Sequence, residues 1–145
     1  MKSLQLPLHL VSIGLWLGCI LTEALFERTL LGRGREQELL LARLHKRVDL
    51  VVEIPAFLVV LVTGVFMLPM GSGSLLLHAK IGFGLLAMAA NVYCVWLVFR
   101  RFAHASAGNW EGFARADYLQ HKVGAIVLVG ILIALGIGLY LHGRA

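Results

Sequence analysis

The residues of this sequence that could do chemistry are its six histidines, and their spacing matters more than their number. His9, His45, His78 and His121 each fall near one end of a different apolar stretch, His142 closes the last stretch, and His104 lies between two of them. Imidazoles carried by separate helices are what bis-histidine haem ligation needs, because the iron takes one axial nitrogen from each side of the porphyrin. The four sort into two pairs, His9 with His78 at one membrane face and His45 with His121 at the other. One pair would hold one haem b, and both together would make a two-haem electron path across a bilayer. Trp16 lies two helical turns from His9 on the same face and could wall a ring. Lys80 could neutralise a haem propionate, or simply snorkel to the surface. Met67 and Met70, taken with His9, His78 and His142, form a rival donor set, since thioether and imidazole together suit copper. The plain alternative is that a histidine at a helix end in the interface serves only to bridge water and lipid.

The acids form a second pattern. His45, Asp49 and Glu53 follow one another at intervals of four, as do Glu23 and Glu27, so each group shares a helix face. Ionisable groups inside a membrane span are costly, and their default reading is functional. Here they could pair with Arg28, Arg47, Arg101 or Lys122 in a structural belt, or form a proton path from the cytoplasm. Glu53 is the deepest of them and adjoins Pro55, which should kink its helix and free a carbonyl. Asn91 shares a helix face with Lys80. Cys19 and Cys94 read as small apolar fillers, with no CxxC motif.

The elements that must carry these groups are membrane helices. The chain has 145 residues, 59% hydrophobic and 14% charged, with a mean hydropathy of +0.85. A soluble domain of this size could not hide so much apolar surface. Residues 3–22, 81–99 and 123–143 contain no charge, and 54–79 is a fourth uncharged run, interrupted near its outer end by a turn-forming segment at 69–74. Since about 20 apolar residues cross the hydrocarbon layer, the expected architecture is an all-α, up-down-up-down bundle of four transmembrane helices. It is one domain over 1–145, with spans at about 4–26, 45–68, 76–100 and 119–141. Residues 35–43 are amphipathic and should extend the second span as a helix. Gly14 and Gly18 have the spacing of close helix contacts, and Trp110 is placed as an interfacial anchor. No soluble catalytic domain or nucleotide fold has room in such a chain.

The net charge of +5 is a topology signal and calls for no nucleic acid. Ten of the thirteen Lys and Arg fall in or beside the loops at 27–44 and 101–118, leaving only Lys2, Lys80 and Arg144 on the other side. By the positive-inside rule those loops are cytoplasmic, with both termini outside, in a bacterial-type inner membrane. The first apolar stretch exceeds a signal-peptide core of roughly 7–15 residues and reads as a retained helix.

His9, Trp16 and Gly18 form an H-x6-W-x-G pattern, Pro55 with Thr63-Gly64 forms P-x7-TG, and His78-Ala79-Lys80 forms H-x-K. Over about the first hundred residues this resembles the HemJ-type protoporphyrinogen IX oxidases and the CopD-like four-helix membrane proteins. The resemblance implies that His9 and Lys80 are the residues tied to haem binding and activity. It implies either a membrane oxidoreductase acting on a porphyrin or quinone-like substrate, or a copper-handling protein. His121, Asp49 and Glu53 have no place in the HemJ pattern. Besides lipid, the expected partners are a second copy of the chain or a redox partner subunit. If the orientation holds, a reporter active only outside the cytoplasm should be active when fused to either terminus and silent in the two charged loops.

Overall fold

The computed structural model describes residues 2–68 and 73–143. Its helices are α1 (Lys2–Leu30), α2 (Arg35–Val48), α3 (Ile54–Phe66), α4 (Leu75–Ser106) and α5 (Trp110–His142). A π-helical turn, Asp49–Glu53, joins α2 directly to α3, so the two form one continuous rod. Four segments are long and apolar enough to cross a membrane: Leu4–Leu30, Arg35–Phe66, Leu75–Ser106 and Trp110–His142. The protein is therefore a multi-pass, all-α four-helix bundle, as its hydropathy requires. Most of the turn expected at 69–74 lies outside the described residues, as do Met70 and Arg144.

The helices outrun the expected spans at their charged ends. At 1.5 Å per residue, 32 residues reach about 48 Å, well beyond the roughly 30 Å of hydrocarbon. The expected loops at 27–44 and 101–118 thus shrink to tight connections at 31–34 and 107–109. Gly32, Gly34 and Gly108 supply the positive φ angles these turns need. Asn109, expected beside an interfacial anchor, caps α5 by accepting a hydrogen bond from the Gly112 amide at 2.9 Å. Trp110 meets Phe113 edge to face and receives the Arg35 guanidinium on its ring.

The π turn has a local cause and a geometric effect. Pro55 has no amide proton for the carbonyl four residues before it, and the wider turn absorbs that break. In an α-helix, residues four apart are offset by about 40°, so three of them drift around the axis. The wider turn winds part of that drift back, and His45, Asp49 and Glu53 all end up buried.

Packing is uneven along the bundle. α4 lies against α5, α1 lies against α3, and α2 joins α4 at the charged end. The central core is Trp16, Ala56, Val60, Ala87, Val127 and Ile131. Leucines and valines such as Leu15, Val62, Leu85 and Val129 point outward, as lipid-facing residues do. The close helix contact expected at Gly14 and Gly18 is absent, with nothing within 4 Å of a methyl built on either. It lies instead at Gly130, where an added methyl would meet the Ala87 Cβ at 2.9 Å and the Phe83 carbonyl at 3.3 Å. Backbone cannot yield as a side-chain tip can. Gly130→Val should cost about 1–3 kcal/mol by overpacking, read as a lower thermal midpoint in detergent, while Gly14→Ala should leave the midpoint unchanged.

Candidate functional site

Two polar centres occupy the bundle, and α1 connects them. His9, Ser12, Trp16, Cys19 and Glu23 are all buried and recur every three or four residues, forming one stripe on one helix face. From His9 to Glu23 that stripe climbs about 21 Å at helical rise.

The lower centre is organised by Arg101, whose side chain is fully buried. Its Nη1 donates to Glu27 Oε1 and to Asp117 Oδ1, both at 2.7 Å, and its Nη2 donates to His45 Nδ1 at 3.2 Å. A guanidinium only donates. His45 Nδ1 must therefore accept, which puts the ring proton on Nε2, 2.7 Å from Glu23 Oε2. The Gln120 amide nitrogen stands 3.2–3.3 Å from both ring nitrogens. His121 is exposed, and its Nε2 lies 2.7 Å from Glu27 Oε2 while its Nδ1 donates to the Asp117 carbonyl at 2.8 Å.

His45 and His121, expected to face each other across a haem, instead converge on Glu27 from two sides. Both nitrogens of each ring are engaged, so neither offers iron a lone pair. The physical reason is Arg101: a buried guanidinium must gather acceptors, and it takes His45 as one of them.

Deeper in the membrane stand Asp49 and Glu53, 1% and 3% exposed. One ligand-type atom from each of Glu23, His45 and Asp49 lies within 4.8 Å of the others. Glu23 Oε1 and Asp49 Oδ2 are buried without a hydrogen-bond partner. The Asn91 side chain lies against Glu53, and its Oδ1 accepts from Trp16 Nε1 at 3.2 Å. Trp16 meets Phe57 edge to face.

The upper centre is a cavity of about 260 Å³ walled by residues of all four spans. Most of its lining is apolar; His9, Trp16, Lys80, Met67, Met88 and His142 bring the polar and soft atoms. His9 Nδ1 lies 2.7 Å from Thr63 Oγ1, and that hydroxyl donates to the Val59 carbonyl at 2.6 Å. With its one proton so used, the Thr63 oxygen accepts from His9 Nδ1–H. The hydrogen-bond arrangement thus assigns the tautomer, and His9 Nε2 keeps its lone pair. Gly64 lets the ring lie close, since a methyl there would touch His9 Cε1 at 3.4 Å. Lys80 crosses from α4 over Gly138 of α5, where a methyl would meet its Cε at 3.2 Å.

His78 is not brought to His9. It is exposed, its Nδ1 is 3.0 Å from the Ser74 carbonyl, and it does not line the cavity. Residues two apart on a helix point about 200° away from one another, so His78 and Lys80 cannot both face inward. Lys80 does, and His142 of α5, rather than His78, lines the cavity. Sequence reasoning missed Arg101 as a hub and Thr63 as the partner of His9. The helical offset was available to separate His78 from Lys80.

No family model matches the chain, and no curated protein or solved structure matches it either. Removing the guanidinium would strand Glu27 and Asp117 inside the bundle. Arg101→Met should cost about 3–5 kcal/mol, seen as a collapse of the detergent thermal midpoint. Arg100→Ala, one residue away on an exposed cation–π contact with Trp96, should change it little.

Proposed function

We propose that this protein is a membrane redox protein that holds a b-type haem in the upper cavity, with His9 Nε2 as an axial ligand. In this reading it transfers electrons or oxidises a porphyrin or quinol-type reductant. The observation that carries it is the hydrogen-bond chain from Val59 through Thr63 to His9. Metal-bound imidazoles are oriented in this way, with the remote ring nitrogen donating to a fixed oxygen.

The donor set and walls fit such a group. The lining is largely apolar, which suits a porphyrin face; Gly84 leaves an open stretch of wall, while Gly64 and Gly138 make room for His9 and Lys80. Lys80 stands in the same wall to neutralise a carboxylate, and Trp16 floors the cavity at mid-membrane. His142 is the second imidazole in the lining. When bound, the haem would supply one-electron chemistry. The chain's own work is to ligate through His9, hold its tautomer through Thr63, exclude water with its aliphatic lining, and pair a propionate with Lys80. In this reading the basic loops face the cytoplasm of a bacterial-type membrane and the cavity lies toward the outer face. A redox partner subunit or a second copy would approach there.

Copper is the second reading, and one observation favours it: Met67 and His142 share the cavity with His9, a thioether and two imidazoles. A reduced-minus-oxidised visible spectrum of the purified protein, with metal analysis, decides between them. Haem bands should be present in the natural chain, lost in His9→Ala, and several-fold weaker in Thr63→Val. They should be shifted in His142→Ala and retained at unchanged stoichiometry in His78→Ala. A spectrum unaffected by His9→Ala would overturn the haem site, and a colourless protein carrying copper would favour the second reading.

A further inference from the structure

The charges of the lower centre do not balance. Glu23, Glu27, Asp49, Glu53 and Asp117 converge on a single permanent cation, Arg101, and on the imidazoles of His45 and His121. Even with both imidazoles charged, five negative charges face three positive ones. The nearby basic residues do not make up the difference, since Arg47 and Lys122 are exposed and Lys46 lies over the rings of Phe99 and Phe102. Two uncompensated charges in a bundle core are far too costly to stand. Either protons or a divalent cation must neutralise them.

The geometry decides between the two. Among the described residues two trios could hold a metal. In Glu27, Asp117 and His121, both carboxylates are already bonded to Arg101 Nη1 at 2.7 Å. In Glu23, His45 and Asp49, the imidazole is 3.2 Å from the same guanidinium. A divalent ion there would sit beside a like charge that cannot be deprotonated. It would also have to expel the proton through which His45 holds Glu23. Protons meet neither obstacle, and two buried carboxyl groups this close cannot both stay ionised.

We propose that Glu23, Asp49 and Glu53 form a proton-loading half-channel, filled from the charged face through His121 and Glu27 and ending at Glu53 in the middle of the membrane. Glu27 Oε1 lies 3.6 Å from His45 Nδ1. A proton accepted at Nδ1 releases another from Nε2 to Glu23 Oε2, and return of the ring to its first tautomer resets it. Glu23 Oε1 and Asp49 Oδ2, each without another partner, share the proton and pass it one helical turn to Glu53. Each transfer moves one proton and no electrons. Beyond Glu53 the bundle is closed by Ala56, Val60, Ala87, Val127 and Ile131, so the path loads protons without leaking them to the opposite face. Asn91, which touches both Glu53 and Trp16, stands between the end of the path and the cavity wall.

Infrared difference spectroscopy on the full-length purified protein tests this with no cofactor bound, so the result does not depend on what the cavity holds. At neutral pH the natural chain should show a protonated-carboxyl stretch that shifts in D₂O. Asp49→Asn and Glu53→Gln should each remove a component of it. Both variants replace a protonated carboxyl by a neutral amide of the same shape, so they should unfold near the natural midpoint, which separates loss of the band from loss of the fold. Proton uptake after a pH jump, followed with a soluble dye, should slow about tenfold or more in Glu27→Gln. No protonated-carboxyl band at neutral pH would overturn the proposal, as would a band that survives in both variants. So would a stoichiometric divalent metal whose removal makes the band appear.

Discussion

The fully buried guanidinium of Arg101 is the constraint on which the lower half of the bundle depends. It can neither lose its charge nor reach water, so three other helices must bring acceptors to it. α1 supplies Glu27, α2 supplies His45, and α5 supplies Asp117. Helices in lipid have no hydrophobic force driving them together, and these directional bonds fix how the helices sit against one another. The tight turns at 31–34 and 107–109 follow from the same demand, because the helices must run beyond the hydrocarbon layer to carry their charged ends past the hub.

The upper half is governed by the reverse condition. α3 leans on α1 and α4 leans on α5, and the space between the two pairs is where the cavity lies. A single hydrogen bond, His9 to Thr63, holds the one buried imidazole there. Its energy is modest, yet it selects which ring nitrogen keeps a lone pair, and that is a chemical choice rather than a structural one. The wall is largely apolar, so whatever occupies the space is bound by shape and by the few aromatic, soft or charged groups in it.

The four spans and their order were legible because hydrocarbon thickness and charge exclusion leave a chain of this composition few alternatives. His9, Trp16 and Lys80 were legible as a group because helical offset puts them on inward faces. His45 and His121 were paired from the sequence, and both reach Glu27; their engagement around Arg101 was not legible, since nothing in the sequence marks which of thirteen basic residues will be buried. Thr63 escaped as a partner for the opposite reason: a threonine in an apolar run usually satisfies itself on its own helix, and its second bond is visible only in three dimensions. His78 was separable from Lys80 by angle alone.

The π turn at Asp49–Glu53 carries one further meaning. It inserts a wider coil between two halves of a single rod, and so it acts as an angular gear between them. His45 of α2 is clocked to Arg101, while Thr63 on α3 is clocked to His9. Each residue of α-helix turns the chain by about 100°, so a shift of register within those five residues would rotate one half against the other. If the wider coil were to slide by one position along the rod, Thr63 would swing relative to His9 while Asp49 or Glu53 moved relative to the guanidinium. The two centres of this protein are therefore joined by a mechanical linkage as well as a polar one, and the joint lies beside Pro55, where the backbone ladder is already broken.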